Sequence, residues 1–459
     1  MIFDPYFFVL LVSLLILGNL FIRMKGEKKA QLYFNSIILY LIILSISVYS
    51  LSGTQESYFN IISINPFSLF FIMILTIGVL LLNFLAYTQS NDYGDFALLS
   101  SLALVGMYLV VAATSLITIF IGLELMSIPS AFIILLSRRN SLEAATKFFI
   151  MASVAIALLS FAIVLLYGAS NSLMLQAQNQ GGLLNFAFVL FIASIGFEAS
   201  VFPFNVLLPD VYEGSAAYAT ALLGGINKKV GLAALMQVLI FLFIGWSFVP
   251  ELVALLAVLA MFYGNIVALM QNNLKRLLAY SSISQVGYIL IGIAVANQAG
   301  VAASMFQIFA HMFLFIGAMG IITWLERKGK GEISDLIGLY KENRVCALAL
   351  SLFLLSLAGI PFTTGFMGKF LLFLSAVNAG LAWLALLGVV NSVISIFYYA
   401  KVLTAVYTDK LGTHHIKLDS PTLAVILVCV IITLLIGIYP QPMIQLVNGA
   451  AWYLFSGIR

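Results

Sequence analysis

Apolar blocks follow one another along almost the whole chain, each closed by a few polar residues. A helix needs about 20 residues to cross the hydrocarbon core of a bilayer. Blocks of that order occur at 3–22, 31–51, 66–87, 95–113, 115–136, 144–168, 183–207, 211–244, 249–271, 277–297, 300–325, 345–375, 380–404 and 421–440, fourteen in all. The pattern predicts an all-α, polytopic membrane protein. No small-residue cleavage site follows the first block, which therefore reads as a first span and not as a removable signal. Two blocks carry helix breakers beside an ionisable residue. In "FIASIGFEASVFPFNVLLPD", Glu198 stands five residues before Pro203, and in "LSLAGIPFTTGFMGKFLLF", Lys369 stands eight residues after Pro361. A proline inside a helix frees a carbonyl and kinks or ends the helix. Such freed groups are tolerated at membrane depth only inside protein or beside water. Two broken spans, each with an ionisable residue, point to an internal repeat with an ion site at the breaks.

Composition agrees. Hydrophobic residues make up 63% of the 459 positions and charged residues 8%, against roughly 25% charged in a soluble domain. The placement of the cations predicts an orientation. With the N-terminus on the non-cytoplasmic side, 17 of the 21 basic residues fall in cytoplasmic connections or at the span ends beside them, among them Arg23, Arg138, Lys275, Arg327 and Lys401, and Arg459 alone falls outside. Short cytoplasmic loops carry just such an excess. The net charge of +4 thus reflects topology. Cations divided among separate short loops do not form a nucleic-acid footprint.

Lys228, Lys229 and Lys369 remain, all inside spans, together with the carboxylates Glu124 and Glu198. A charge at bilayer depth costs at least ~2.5–3.5 kcal/mol on insertion scales. Such groups pair with one another or line a hydrated path, and they are functional candidates by default. The competing reading for each is a structural ion pair between helices. That reading is strongest for Lys229, because adjacent lysines on a helix point in different directions and at most one faces a given path. A lysine in water holds its proton too tightly to relay it. Desolvation weakens that hold and a nearby carboxylate restores it. Lys369 accordingly reads as a proton carrier.

The rest of the chain is less informative. Cys346 and Cys429 lie far apart in apolar contexts and read as small buried side chains. They offer neither a disulfide framework nor iron–sulfur ligation, and no phosphate-cradling glycine loop follows a strand. The sequence predicts no cofactor and no metal in this chain. His414 and His415 are adjacent in a polar loop, which is poor metal-ligand spacing. The charged stretch 326–344 reads as a solvated connection or a docking surface for a peripheral arm. Lys275 and Arg276 lie near the cytoplasmic end of a span, where topology anchoring accounts for them. Asp210 and Glu213 follow the break after Glu198; they read as aids to proton entry or as caps for the next span.

Five stretches carry a resemblance: "IGLELMSIPS" (121–130), "PDVYEG" (209–214), "NLKRLLAYSSISQVGY" (273–288), "AGIPFTTGFMGKF" (358–370) and "GIYPQP" (437–442). Together they resemble the antiporter-like membrane subunit N of respiratory complex I, and the likeness runs over nearly the whole chain. More distant likenesses are to subunits of multi-subunit cation/proton antiporters and of energy-converting hydrogenases. The resemblance implies helices 1–3 over 1–94, two inverted five-helix repeats (helices 4–8 over 95–245, helices 9–13 over 246–405) with helices 7 and 12 broken, and a last helix within 406–459. It implies that Glu124, Lys228 and Lys369 belong to a hydrated mid-membrane chain that carries protons outward. His311, in "FQIFAHMFLFIGAM", stands where relatives keep a lysine or histidine and suits proton exchange near neutral pH; a hydrogen-bonded core histidine is its other reading. Quinone, iron–sulfur clusters and a flavin or other donor site would lie in partner subunits. The implied partners are M-type and small membrane subunits and, through them, a peripheral redox arm.

One departure stands out. The family's seventh helix normally carries a lysine in a "GFK…PFH" context, whereas this chain reads "GFEASVFPFN", with Glu198 and Asn205. Two facing carboxylates do not both ionise, so Glu124 and Glu198 would share a proton. Alternatively, Glu198 pairs with one of Lys228 and Lys229. The function implied is proton translocation in a complex I-like donor:quinone oxidoreductase of a prokaryotic plasma membrane. An antiporter or hydrogenase subunit, or a self-contained secondary transporter binding a solute at its broken helices, are the alternatives. Donor identity and the choice of proton or sodium stay open.

Overall fold

The structure, a computed structural model, describes residues 18, 20, 29–50, 56–58, 61–90, 93–138, 140–178, 180–243, 245–409 and 417–456. The first predicted span, Arg23, Arg139, His414, His415 and Arg459 lie outside these residues. The chain is all-α apart from a small antiparallel pair, β1 (Glu56–Tyr58) and β2 (Ile62–Ile64). Twelve helices among the described residues are long and apolar enough to cross a membrane. Two shorter apolar helices, Arg344–Ala358 and Thr364–Asn378, occupy one further predicted span.

The described residues fall into two compact units. The first takes its residues from 1–199, 226–247 and 449–459. It contains α1 (Lys29–Ser50), α2 (Pro66–Gln89), α3 (Tyr93–Val111), α4 (Leu116–Ser137), α5 (Leu142–Ser170) and α6 (Gly182–Ala199). The second takes 200–225 and 248–448. Its first helices are α7 (Leu208–Gly214) and α8 (Ala217–Leu222), after which a π-helical turn, Leu223–Asn227, leads into α9 (Lys228–Phe243) of the first unit. The second unit continues with α10 (Phe248–Leu269), α11 (Leu274–Ala294), α12 (Gln298–Glu326), the one-turn α13 (Leu339–Glu342), α14 (Arg344–Ala358), α15 (Thr364–Asn378), α16 (Ala382–Tyr407) and α17 (Ser420–Ile438). The last helix is α18 (Gln441–Ser456).

Local sequence sets several helix starts. Asn65 and Ser68 close a capping box around α2, with Pro66 at its first position. The Asn273 carboxamide accepts the free N–H groups of Lys275 and Arg276 at the head of α11. In the first unit α3 and α4 pack at Gly106 and Gly122. A Cβ on Gly106 would stand 2.6 Å from the Gly122 carbonyl oxygen, so only glycine permits this approach. In the second unit α12 is the core. It packs against α8, α11, α14, α15 and α17, and every residue from Gly300 to Leu325 is buried.

Three interruptions differ from the continuous spans that hydropathy predicts. The block expected over 183–207 ends as a helix at Ala199; Ser200 takes a left-handed φ of 58° and turns fill the residues up to Leu207. The block expected over 211–244 is divided, because Ser215 and Ala216 are extended between α7 and α8, and the π turn follows. The block expected over 345–375 is two helices, α14 and α15, of 15 residues each. There Gly359 takes φ +97°, a conformation that favours glycine, and Pro361 prevents direct continuation. The helix at 441–456 was outside the predicted spans; Pro440 and Pro442 separate it from α17.

Candidate functional site

The buried charges of the first unit gather around the end of α6. Glu198, the last residue but one of that helix, is 6% exposed. Its carboxylate Oε1 accepts a hydrogen bond of 3.1 Å from the Ser127 hydroxyl on α4. Glu124, half-buried, lies three residues before Ser127 and so shares its helix face. Ser130, three residues further on, accepts from the Asn227 side chain at 2.8 Å. Glu124, Ser127 and Ser130 thus form a polar stripe on α4, aimed at the end of α6 and the start of α9. Gly231 brings α9 onto this corner: a Cβ there would lie 2.6 Å from the Ala199 nitrogen and 2.7 Å from the Glu198 carbonyl carbon. Lys228, three residues before Gly231, lies on the same face of α9. Lys228 and Lys229 are both buried. The Ser127 hydroxyl is thus the neutral donor that meets the Glu198 carboxylate.

The second unit holds Lys369 at the break between α14 and α15. Lys369 is 3% exposed. Its ammonium donates to the Ala358 carbonyl oxygen at 3.1 Å and lies 4.4 Å from the centroid of the Tyr288 ring. Ala358 is the last residue of α14, so the cation sits at the negative end of a helix dipole. Gly359 leaves room for the lysine stem, since a Cβ there would meet Lys369 Cδ at 3.3 Å. The neighbouring Leu357 carbonyl accepts from Gln285 at 3.1 Å, and Gln285 in turn accepts from Gln307 at 2.9 Å. Gln307 lies over Gly368, where a Cβ would stand 2.0 Å from Gln307 Oε1. Two buried carboxamides thus pin the break beside the lysine. His311, four residues after Gln307 on α12, is 1% exposed and tilts against Phe315 at a ring-centroid distance of 5.6 Å.

At the other end of α11 and α12, two pairs of charges form a brace. Lys275 and Glu326 make an ion pair of 2.7 Å with side chains 5% and 6% exposed. The Lys275 ammonium also donates to the carbonyls of Glu213 (2.8 Å) and Ser215 (2.5 Å). Glu326 Oε2 accepts the Ala217 N–H at 2.9 Å. Arg276 pairs with Asp210 at 2.7 Å and with Glu213 at 2.9 Å.

The family described as "NADH:quinone oxidoreductase/Mrp antiporter, TM" matches residues 113–395. The chain is 34% identical over 446 residues to NADH-quinone oxidoreductase subunit N 1 of Chloroherpeton thalassium, covering 93% of each chain. It is 35% identical over 421 residues to F(420)H(2) dehydrogenase subunit N of Methanosarcina mazei, covering 86% of this chain and 85% of the relative. The chain belongs to this family. It is a complex I-like, antiporter-type membrane subunit. A chain of the solved structure of respiratory complex I from Thermus thermophilus with bound aureothin superposes on this antiporter-type subunit with a TM-score of 0.84 at 26% identity. That superposition covers 96% of this chain and 99% of the solved one.

Within this antiporter-type subunit, the sequence-derived candidates divide into those that meet a hydrogen-bond partner near a helix end and those locked in a brace. Glu198 stands in the last turn of α6, whereas Lys369 lies in the second turn of α15 and its ammonium reaches back to the last carbonyl of α14. Asp210 and Glu213 pair with Arg276, and the first N–H of α8 goes to Glu326. Glu326, expected in a solvated connection, closes α12 with a buried carboxylate, and Glu342 from the same stretch pairs with Lys330 at 2.7 Å. Residues not singled out by charge surround the buried charges of each unit: Ser127, Ser130 and Asn227 in the first, Tyr288, Gln285 and Gln307 in the second. The i, i+3, i+6 spacing of Glu124, Ser127 and Ser130 was the one available signal for the first two. Among the described residues no group of three or more His, Cys, Asp or Glu side chains is arranged to hold a metal ion.

Proposed function

We propose that this chain is the proton-translocating, non-redox membrane subunit of a complex I-like donor:quinone oxidoreductase. The names of the relatives, an NADH-quinone oxidoreductase subunit and an F(420)H(2) dehydrogenase subunit, support the assignment to such an assembly. Quinone, iron–sulfur clusters and the donor site, flavin or another, then reside in partner subunits, and neighbouring M-type and small membrane subunits transmit the coupling. The distribution of cations supports an N-terminus on the non-cytoplasmic side of a prokaryotic plasma membrane.

The environment of Lys369 carries the proposal. The buried ammonium is held by a helix-end carbonyl and a ring face, with no carboxylate among its hydrogen-bond and ion-pair partners in the described residues. No ion pair to those residues has to break when the proton leaves. The five residues 359–363 between α14 and α15 give the break a place to flex, so the carbonyl contact to the ammonium is made or lost as the hinge moves. Lys369 acts as the terminal carrier. Glu198, hydrogen-bonded to Ser127 with Glu124 one turn away, supplies a second exchangeable proton, and His311 and Lys228 act as intermediate carriers. Lys275, Asp210, Glu213 and Arg276 hold the connecting turn in place.

Extraction in mild detergent followed by mass spectrometry of co-migrating chains tests the assignment. Iron–sulfur and quinone-site subunits in the same particle are the expected result. A partner set of small membrane subunits alone would overturn it in favour of a cation/proton antiporter.

A further inference from the structure

A buried lysine in a membrane protein pairs with an opposite charge or with backbone carbonyls. Among the described residues Lys369 takes the second form: its Nζ donates to the Ala358 carbonyl and faces the ring of Tyr288. Tyr288 is 0% exposed, and its hydroxyl is tied into a polar cluster away from the lysine. It accepts from the Asn265 carboxamide at 3.4 Å. Asn265 also donates to the Asn391 backbone and side-chain oxygens, at 3.1 Å each, and accepts from the Tyr398 hydroxyl at 3.0 Å. Asn265, Asn391 and Tyr398 are each 0% exposed. Three helices, α10, α11 and α16, therefore converge to fix one ring, and the free face of that ring is turned to the ammonium.

We propose that Tyr288 is a positioning residue for the proton step at Lys369: its ring face serves as the counter-charge, and the Asn265–Asn391–Tyr398 cluster holds the ring there. This rests on the translocation reading above. The ring quadrupole attracts a desolvated cation, yet it carries no net charge and forms no ion pair that would trap the proton. A ring in place of a carboxylate thus keeps the protonated lysine in position while leaving it able to discharge. The hydroxyl end fixes the ring's tilt, and the ring end makes the interaction with the ammonium.

The test uses the assembled complex in membrane vesicles, with protons translocated per electron as the readout. Tyr288→Leu is expected to lower the ratio by most of the amount that Lys369→Met removes, while Tyr288→Phe restores most of it. Replacement of Tyr288 by phenylalanines of increasing ring fluorination, which keeps the shape and weakens the quadrupole, is expected to lower the ratio in graded steps. A flat fluorination series, or Tyr288→Phe falling as far as Tyr288→Leu, would overturn the proposal. Lys369→Met in the same vesicles separates the two levels. If it abolishes translocation while the fluorination series is flat, the inference about Tyr288 fails alone; if it translocates normally, the role of Lys369 itself fails.

Discussion

The Ser127 hydroxyl donates to Glu198 Oε1 across 3.1 Å, joining the middle of α4 to the last turn of α6. The contact sets a buried acidic side chain against a neutral donor. Glu198→Gln preserves the acceptor for Ser127 and the packing but removes the exchangeable proton. Proton translocation through this subunit is expected to fall by about 10²-fold or more, the range typical of general acid–base groups, with the complex still assembled. Unchanged translocation with Glu198→Gln would exclude the residue from the relay.

Ser127→Ala removes the hydroxyl and leaves the Glu198 carboxylate buried without that partner. A buried polar group left unmatched costs about 1–3 kcal/mol. The variant is expected to lower thermal stability in detergent and to reduce translocation less than Glu198→Gln does. A larger loss for Ser127→Ala than for Glu198→Gln would place the chemistry on the hydroxyl.

The Lys275–Glu326 pair is a structural prediction of the opposite kind. Both side chains are buried, and the ammonium also satisfies two carbonyls. Removing one member of a buried pair costs about 3–5 kcal/mol, because the other charge remains. Lys275→Met is therefore expected to impair assembly, and the double variant Lys275→Met/Glu326→Met to recover part of it. Particle yield after detergent extraction measures both; equal yields for the single variant and the parent would show that the brace is dispensable.

Gly231 allows α9 to lie against the backbone at Glu198, with a hypothetical Cβ 2.6 Å from the Ala199 nitrogen. Overpacking of this kind costs about 1–3 kcal/mol. Gly231→Ala is expected to lower the melting temperature in detergent, whereas Gly449→Ala, where a Cβ meets nothing within 4 Å, is expected to leave it unchanged. Equal melting temperatures for the two variants would contradict the packing described.

Much of this was legible in the sequence because the bilayer makes charge expensive. Glu198 and Lys369 declare themselves by standing in apolar blocks that Pro203 and Pro361 interrupt; in the structure Glu198 lies in the last turn of α6, and Lys369, within α15, reaches the end of α14. Ser127, Tyr288 and Gln307 were not legible, since neutral side chains cost little in a membrane helix and carry no comparable signal. Glu326 was misplaced for a related reason. It opens a charged run that looks solvated, and its burial depends on Lys275, 51 positions earlier. The extended Ser215–Ala216 step stayed hidden because apolarity continues across it, and hydropathy does not see backbone direction.

The central claim is that Lys369 carries the translocated proton. The most direct measurement is the number of protons translocated per electron by vesicles containing the assembled Lys369→Met complex. The account predicts a ratio reduced by this subunit's whole contribution, with particle yield and subunit composition like those of the parent. A ratio equal to that of the parent would contradict it.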